Sequence, residues 1–171
     1  MGADGDGKTR LNEKPTKYKR KPHVYLIVNV WFFFYDKSRK RGVIPMWIYG
    51  NPNPYGKHVG DCTVRAIANA TGRGWYETYF ALCLQGAIMC DMPSSNAVTT
   101  AYLKRIGFRR RTIPDNCPEC YCVEDFCADH PNGTFVIGTG SHLLAVIDGK
   151  YCDSWESGRE TPVYYFEKTE D

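Results

Sequence analysis

The fold depends most on the stretch Gly60-Asp61-Cys62-Thr63-Val64-Arg65-Ala66-Ile67-Ala68. Its apolar residues recur at helical spacing, Asp61 stands at the N-cap position and Gly72 gives a stop signal, so the pattern predicts a buried helix that begins at Cys62. Free N–H groups and the helix dipole favour an anion at this end, which lowers the pKa of a thiol. Taken alone, Cys62 is explained more simply as a small buried hydrophobe. A catalytic role requires a histidine and a carboxylate from elsewhere in the chain.

The composition of the 171-residue chain fits one globular domain with a core of its own. Residues 1–45 contain 11 Lys/Arg and 4 Asp/Glu, whereas residues 46–171 contain 11 and 15, a balance of −4. Because the larger part is acidic, we expect no nucleic-acid partner. A chain that can build a core does not need disulfides, so its eight cysteines favour reduced thiols and a cytoplasmic location.

Residues 1–45 differ from the remainder in composition. Residues 1–22 are rich in Gly, Lys, Asp and Pro without periodicity, which predicts disorder. Residues 24–35 form an apolar run that is shorter than the roughly 20 residues needed to cross a bilayer, so we expect no membrane span. This run is interpreted as an added strand, an interfacial anchor or a segment outside the natural protein. The change in composition at Met46 favours a functional domain at 46–171 that begins there, with residues 1–45 as a basic leader.

The rest of the pattern predicts an α+β domain in which helices come first and an antiparallel sheet follows. Apolar residues at helical spacing predict helices over 75–88 and from Ser94 or Ser95 to Gly107. A strand over 108–113 and a short helix over 123–129 come next. Short β-branched or aromatic runs separated by turn residues then predict strands over 134–138, 142–147, 150–155 and 163–166.

A hairpin in this region brings a histidine and a carboxylate together. Asp148-Gly149 predicts a two-residue type I′ turn, and the resulting register makes His142 and Asp153 diagonal neighbours on one sheet face, roughly 7–8 Å apart at the backbone. A carboxylate that orients an imidazole, which in turn deprotonates a thiol at a helix start, is the arrangement for nucleophilic acyl transfer. In the alternative interpretation, His142 packs in the core and Asp153 is an exposed turn residue.

Four motifs carry a resemblance to a known family: Asn53-Pro54-Tyr55-Gly56-Lys57, Gly60-Asp61-Cys62 with Arg65-Ala66-Ile67, His142 with Ala145-Val146-Ile147-Asp148-Gly149, and Asp153-Ser154-Trp155 with Ser157-Gly158. A helical Cys, a later strand His and then an Asp is the chain order of the papain-like cysteine peptidase superfamily. More closely, the motifs resemble a set of small, poorly characterised papain-fold proteins of bacteria and their phages. The resemblance covers residues 46–168.

This resemblance implies a papain-like fold and a hydrolase that cleaves an amide bond in a peptide or protein substrate without a cofactor. Cys62 would be the nucleophile, His142 the general base and then the acid, and Asp153 the orienting group.

Papain-like enzymes usually place a Gln before the Cys to hold the oxyanion, but this chain has Gly56 at that position. The favoured oxyanion donor is therefore Asn53, with Asn51 and His58 as alternatives. Both asparagines also suit Asx turns. Trp155 is the candidate for a substrate pocket, although aromatic residues on strands more often fill a core.

A competing pattern consists of the cysteines Cys117, Cys120, Cys122 and Cys127. Cys-x-x-Cys is half of a zinc site, and the other two thiols are available to complete it. Because the second pair lies within a predicted helix at a spacing of five, its thiols point in different directions, and we expect no metal. Two functional alternatives are kept: a non-catalytic papain-fold binding module and a small zinc-stabilised adaptor.

Overall fold

Six strands and four helices make up the described part of the chain, residues 46–114 and 121–169 of a computed structural model. The basic leader lies outside the described residues. In chain order the elements are β1 (Trp47–Tyr49), α1 (Cys62–Thr71), α2 (Trp75–Met89), α3 (Asn96–Arg105), β2 (Phe108–Thr112), α4 (Val123–Asp129), β3 (Thr134–Gly138), β4 (Leu143–Ile147), β5 (Lys150–Asp153) and β6 (Tyr164–Lys168).

The strands form one sheet in the order β1-β5-β4-β3-β6-β2. All neighbouring pairs are antiparallel except β1 and β5, which run parallel with Trp47 opposite Tyr151. The fold is therefore α+β as expected, but the prediction of an antiparallel sheet is wrong at this edge. A parallel pair requires a long connection between its strands, and the helices and strands between β1 and β5 provide one.

Local sequence features set the helix boundaries. The Ser95 hydroxyl accepts a hydrogen bond from the Val98 N–H at 3.2 Å and so caps α3, as predicted. Helix α1 ends at Thr71, immediately before Gly72. The predicted bounds of α4 and β3 are confirmed, most of the other predicted elements differ by a few residues at their ends, and β1 was not predicted.

The sheet lies between two apolar layers. Side chains of α1, α2 and α3 pack on one face, together with Val136 and Leu143. Helix α4 packs on the other face, where Ile137 and Leu144 are buried. Adjacent residues of β3 and of β4 thus enter different clusters, because side chains alternate between the faces of a strand.

Helix α2 is apolar around much of its circumference. Its buried residues include Leu82, Gln85 and Gly86, whereas four apolar residues at a spacing of four are exposed, namely Tyr76, Phe80, Leu84 and Ile88. Within residues 46–114 and 121–169, no helix has the length and apolar character needed to cross a membrane.

The turn between β4 and β5 has the predicted conformation. Asp148 and Gly149 both have positive φ, 48° and 71°, as a type I′ turn requires. Ile147 therefore pairs with Lys150, and the register continues along the two strands toward Asp153. The turn sets which residues of the two strands lie opposite each other.

Substituting Gly149 with alanine is expected to destabilise the protein. The left-handed backbone costs a residue with a Cβ roughly 1–2 kcal/mol, and the new Cβ would lie 3.2 Å from the Cys127 carbonyl oxygen. Gly140→Ala is the matched control, since a Cβ there has nothing within 4 Å. Urea unfolding should show a lower midpoint for Gly149→Ala than for Gly140→Ala, and equal midpoints would contradict the role of the turn.

Candidate active site

The thiol of Cys62 lies where helix α1 and strand β4 both begin. Cys62 is the first residue of α1, and its sulfur is hydrogen-bonded to the His142 ring and to the backbone N–H groups of Leu143 and Thr63. Leu143 is the first residue of β4. The predicted cysteine and histidine are thus brought together although 80 positions separate them in the chain.

His142 is held from its other side by Asp153. The Nε2 atom of His142 lies 2.6 Å from Oδ2 of Asp153, and both side chains are buried. The same carboxylate accepts hydrogen bonds from the Ser157 hydroxyl at 2.7 Å and from the Ser154 backbone N–H at 2.7 Å. Because Nε2 is engaged by Asp153, Nδ1 is the ring nitrogen left to face the thiol.

The electrostatics of the pair favour a thiolate beside an imidazolium. The hydrogen bond from His142 lowers the pKa of the Cys62 thiol, and this effect outweighs burial, which acts in the opposite direction. Burial likewise disfavours the charged ring, yet the hydrogen bonds to Asp153 and Cys62 and their negative charges raise the pKa of His142 to about 9. Both pKa shifts therefore act in the direction of a thiolate next to a protonated imidazole.

Trp155 lies against the imidazole of His142. The ring centroids of His142 and Trp155 are 4.1 Å apart with an interplanar angle of 33°, and the indole remains 41% exposed. The indole N–H donates to Glu160 Oε1 at 3.4 Å. The residue predicted for a substrate pocket thus lies against the catalytic candidate and reaches the surface.

Asp61 occupies the N-cap position of α1, but its side chain makes no capping hydrogen bond, contrary to the role expected of it. Its Oδ1 atom forms an ion pair with Arg65, one helical turn further on. Its Oδ2 atom accepts from Asn53 Nδ2 at 3.0 Å and from Trp75 Nε1 at 2.9 Å. Three donors therefore satisfy this buried carboxylate, directly before Cys62 in the chain.

Arg65 connects this group to the catalytic candidates. Its guanidinium carbon lies 5.6 Å from the centre of the Trp155 ring, at cation–π distance. Asp61, Arg65, Trp155 and His142 are thus in consecutive contact. Removing one partner of a buried pair leaves an uncompensated charge, so the Asp61–Arg65 pair is expected to be important for stability.

Asn53 stabilises the loop that precedes α1 through hydrogen bonds to its backbone. Its side-chain oxygen accepts from the backbone N–H groups of Tyr55 and Lys57, and its own N–H is bonded to Asn51 Oδ1 at 3.1 Å. Its Nδ2 group donates one hydrogen to Asp61. The amide thus takes part in the turns expected from the sequence, and one of its two Nδ2 hydrogens is bonded to Asp61.

The cysteine-rich segment is described only in part, because Cys117 and Cys120 lie outside the described residues. The Cys122 thiol donates to Asp125 Oδ2 at 3.0 Å, and Cys127 is buried in α4. In the part of the chain that is described, no group of three or more His, Cys, Asp or Glu side chains is arranged to hold a metal ion.

Three contributors to the site were not predicted from the sequence: the contacts of Arg65, Trp75 and Ser157. Of these three contacts, the ion pair of Arg65 with Asp61 was the easiest to predict, because residues four apart on a helix lie next to each other. Trp75 and Ser157 reach their carboxylates through the fold, and no local pattern identifies such contacts.

Comparisons with known proteins do not add to these observations. No protein-family model matches the chain, and searches of curated proteins and of solved structures find no match.

The alkylation rate of Cys62 by iodoacetamide is expected to stay high well below the ordinary thiol pKa of about 8.5. The pKa of Cys62 is lowered and that of His142 is raised to about 9, so thiolate and imidazolium coexist between the two values. In His142→Ala the hydrogen bond is lost while burial remains, and the profile should move to higher pH. Cys152, whose pKa burial raises to about 11, is an internal reference that reacts only in alkali. Identical profiles for the two proteins would contradict the pairing.

Arg65→Met is expected to lower the free energy of unfolding by about 3–5 kcal/mol, because Asp61 would keep a buried charge without its partner. The control is Glu167→Gln, which removes an exposed pair with Arg111 at 3.6 Å. Exposed pairs contribute about 0–1 kcal/mol. Both losses can be measured by urea unfolding, and losses of similar size would show that the buried pair has no special role.

Proposed function

We propose that the protein is a cysteine-dependent hydrolase of papain-like type that cleaves an amide bond in a peptide. Cys62 is the nucleophile, His142 the general base and acid, and Asp153 the group that orients the imidazole. The observation that carries the proposal is the 2.6 Å contact of His142 Nε2 with Asp153, made by a ring that is also hydrogen-bonded to the Cys62 thiol. The chain order supports the papain-like assignment: a cysteine at a helix start, then a histidine directly before β4, then an aspartate at the end of β5.

In the acylation half of the reaction, the Cys62 thiolate attacks the carbonyl carbon of the amide and forms a C–S bond. The carbonyl electrons move onto oxygen as an oxyanion. His142 then donates its proton to the amine nitrogen, the C–N bond breaks and the amine leaves, so that a thioester remains on Cys62.

In the deacylation half, the neutral His142 takes a proton from water as the water oxygen attacks the thioester. The C–S bond breaks, the acid product leaves and the thiolate–imidazolium pair is restored. Asp153 stabilises the imidazolium and keeps the ring in orientation through both halves. The proposed reaction needs side chains and water alone.

The oxyanion requires hydrogen-bond donors close to the sulfur. The backbone N–H of Cys62, at the start of α1, is one candidate, because the first N–H groups of a helix have no partner within the helix. The second Nδ2 hydrogen of Asn53 remains the side-chain candidate, since Asp61 takes the first. The Trp155 indole is proposed to contact the substrate, because the ring lies next to His142 and is partly exposed.

A cytoplasmic enzyme fits the state of the cysteines. The six cysteines in the described part of the chain are free thiols, and a catalytic thiolate requires reducing conditions to stay active.

Selective alkylation tests the proposal. Iodoacetamide at pH 6 is expected to modify Cys62 ahead of the other cysteines, as read by peptide mass spectrometry. His142→Ala should slow this reaction, and it should lower turnover of any peptide substrate by on the order of 10²–10⁴. His130→Ala is the matched control, since that ring stacks on Phe126 at 4.0 Å and has no contact with the site. All cysteines reacting alike would instead favour the non-catalytic binding module.

A further inference from the structure

The Tyr164 ring extends across the sheet toward the thiol. Tyr164, on β6, pairs with Gly138 on β3, and Gly138 pairs with Leu143 on β4. A Cβ atom on Gly138 would overlap Cζ of Tyr164, so the ring lies over this glycine of β3. Leu143, the partner of Gly138 on β4, contributes the N–H that is bonded to the Cys62 sulfur. Burial raises the pKa of Tyr164 and the negative charge of Cys62 raises it further, so the phenol lies within electrostatic range of the thiol.

Arg110 packs on the ring of Tyr164. Its guanidinium carbon is 4.4 Å from the ring centre of Tyr164, a close cation–π contact. Within residues 46–114 and 121–169, no carboxylate forms an ion pair with Arg110, whereas its neighbour Arg111 pairs with Glu167. The guanidinium is thus held in place by an aromatic surface and keeps its N–H donors for another group.

The two residues share an open cavity between α3 and the sheet. The cavity has a volume of about 410 Å³ and is lined by Asn96, Ala97, Thr100, Ala101, Arg110 and Tyr164. An adjacent cavity of about 340 Å³ also includes Arg110 and adds Lys104 and Arg109. The described residues that line the two cavities include three cationic side chains and no acidic one, although residues 46–171 have a balance of −4. A positive surface of this kind favours an anionic ligand.

We propose that Arg110 and Tyr164 form a subsite that binds a carboxylate group of the substrate. The inference rests on the proposed function and narrows its substrate class. A guanidinium presents parallel N–H donors that match the two oxygens of a carboxylate, and the phenol hydroxyl is a further donor at its edge. Because the Tyr164 ring already holds the guanidinium, less side-chain freedom is lost when the carboxylate binds.

The spacing of the strands sets the position of this carboxylate in the substrate. Strands β4 and β6 are separated by β3, so their backbones are about 10 Å apart. An extended chain advances roughly 3.5 Å per residue. The recognised carboxylate therefore lies within about three residues of the scissile bond, either as a chain terminus or as an acidic side chain.

Two matched pairs of thiol-alkylating probes test the subsite. One pair is chloroacetyl-glycylglycine and its terminal amide; the other is chloroacetyl-glutamate α-amide and the corresponding glutamine compound. In each reaction the Cys62 thiolate displaces chloride and forms a C–S bond. The carboxylate form of at least one pair is expected to modify Cys62 about tenfold faster than its amide form. The responding pair identifies the carboxylate as terminal or side-chain.

Variants of the full-length chain identify the residue responsible. Arg110→Gln should remove the preference for the carboxylate form while leaving the rate with the amide form unchanged. Arg111→Gln is the matched control: it has the same charge on the same strand, but its side chain points to the opposite face, and it should retain the preference. A substitution that disturbs the structure would change the rates of the carboxylate probe and the amide probe together. The ratio of these two rates therefore reports recognition of the charge.

The two proposals fail in different ways. If the amide probes modify Cys62 selectively but neither pair shows a preference, the subsite is wrong and the proposed nucleophile is retained. A preference that survives in Arg110→Gln also overturns the subsite. If no probe modifies Cys62 ahead of the other cysteines, the proposed function itself fails.

Discussion

The contact between His142 Nε2 and Asp153 Oδ2 is the interaction on which the rest of the site depends. Burial by itself would favour a neutral imidazole and a neutral thiol, because both charged forms lose hydration. The buried carboxylate reverses this preference for the ring, and the charged ring then reverses it for Cys62. Ser154 and Ser157 donate to the same carboxylate and hold its oxygens in place. Asp153 thus raises the pKa of His142, and the hydrogen bond from His142 lowers the pKa of Cys62.

Strand β1 forms the edge of the sheet and holds the end of the neighbouring strand β5, where Asp153 lies. The Asp153 carbonyl oxygen accepts hydrogen bonds from the Gly50 N–H at 2.8 Å and from Trp47 Nε1 at 3.3 Å. The chain then continues through the Asn53 loop to Asp61, which contacts Arg65 and directly precedes Cys62. The parallel strand, which the sequence pattern did not reveal, therefore fixes the backbone of Asp153, and the chain that follows it leads to the start of α1.

Much of the site was predictable because its pieces are encoded locally. The Asp148-Gly149 turn accepts few backbone conformations, so it set the hairpin register and placed His142 near Asp153. The roles of polar side chains were less predictable. Asp61 had the right position for a cap, but its carboxylate is bonded to three partners instead. A short polar side chain has several partners within reach, and tertiary packing selects among them.

The sequence by itself determined the helices, most strands, the hairpin register and the three candidate residues, because periodicity, caps and turn chemistry act over a few residues. Only the tertiary structure decided that β1 pairs in parallel with β5, that Arg65 bridges Asp61 and Trp155, and that Arg110 packs on the Tyr164 ring. Each of these contacts joins distant parts of the chain. Their geometry follows from how layers pack, and no local pattern of residues specifies it.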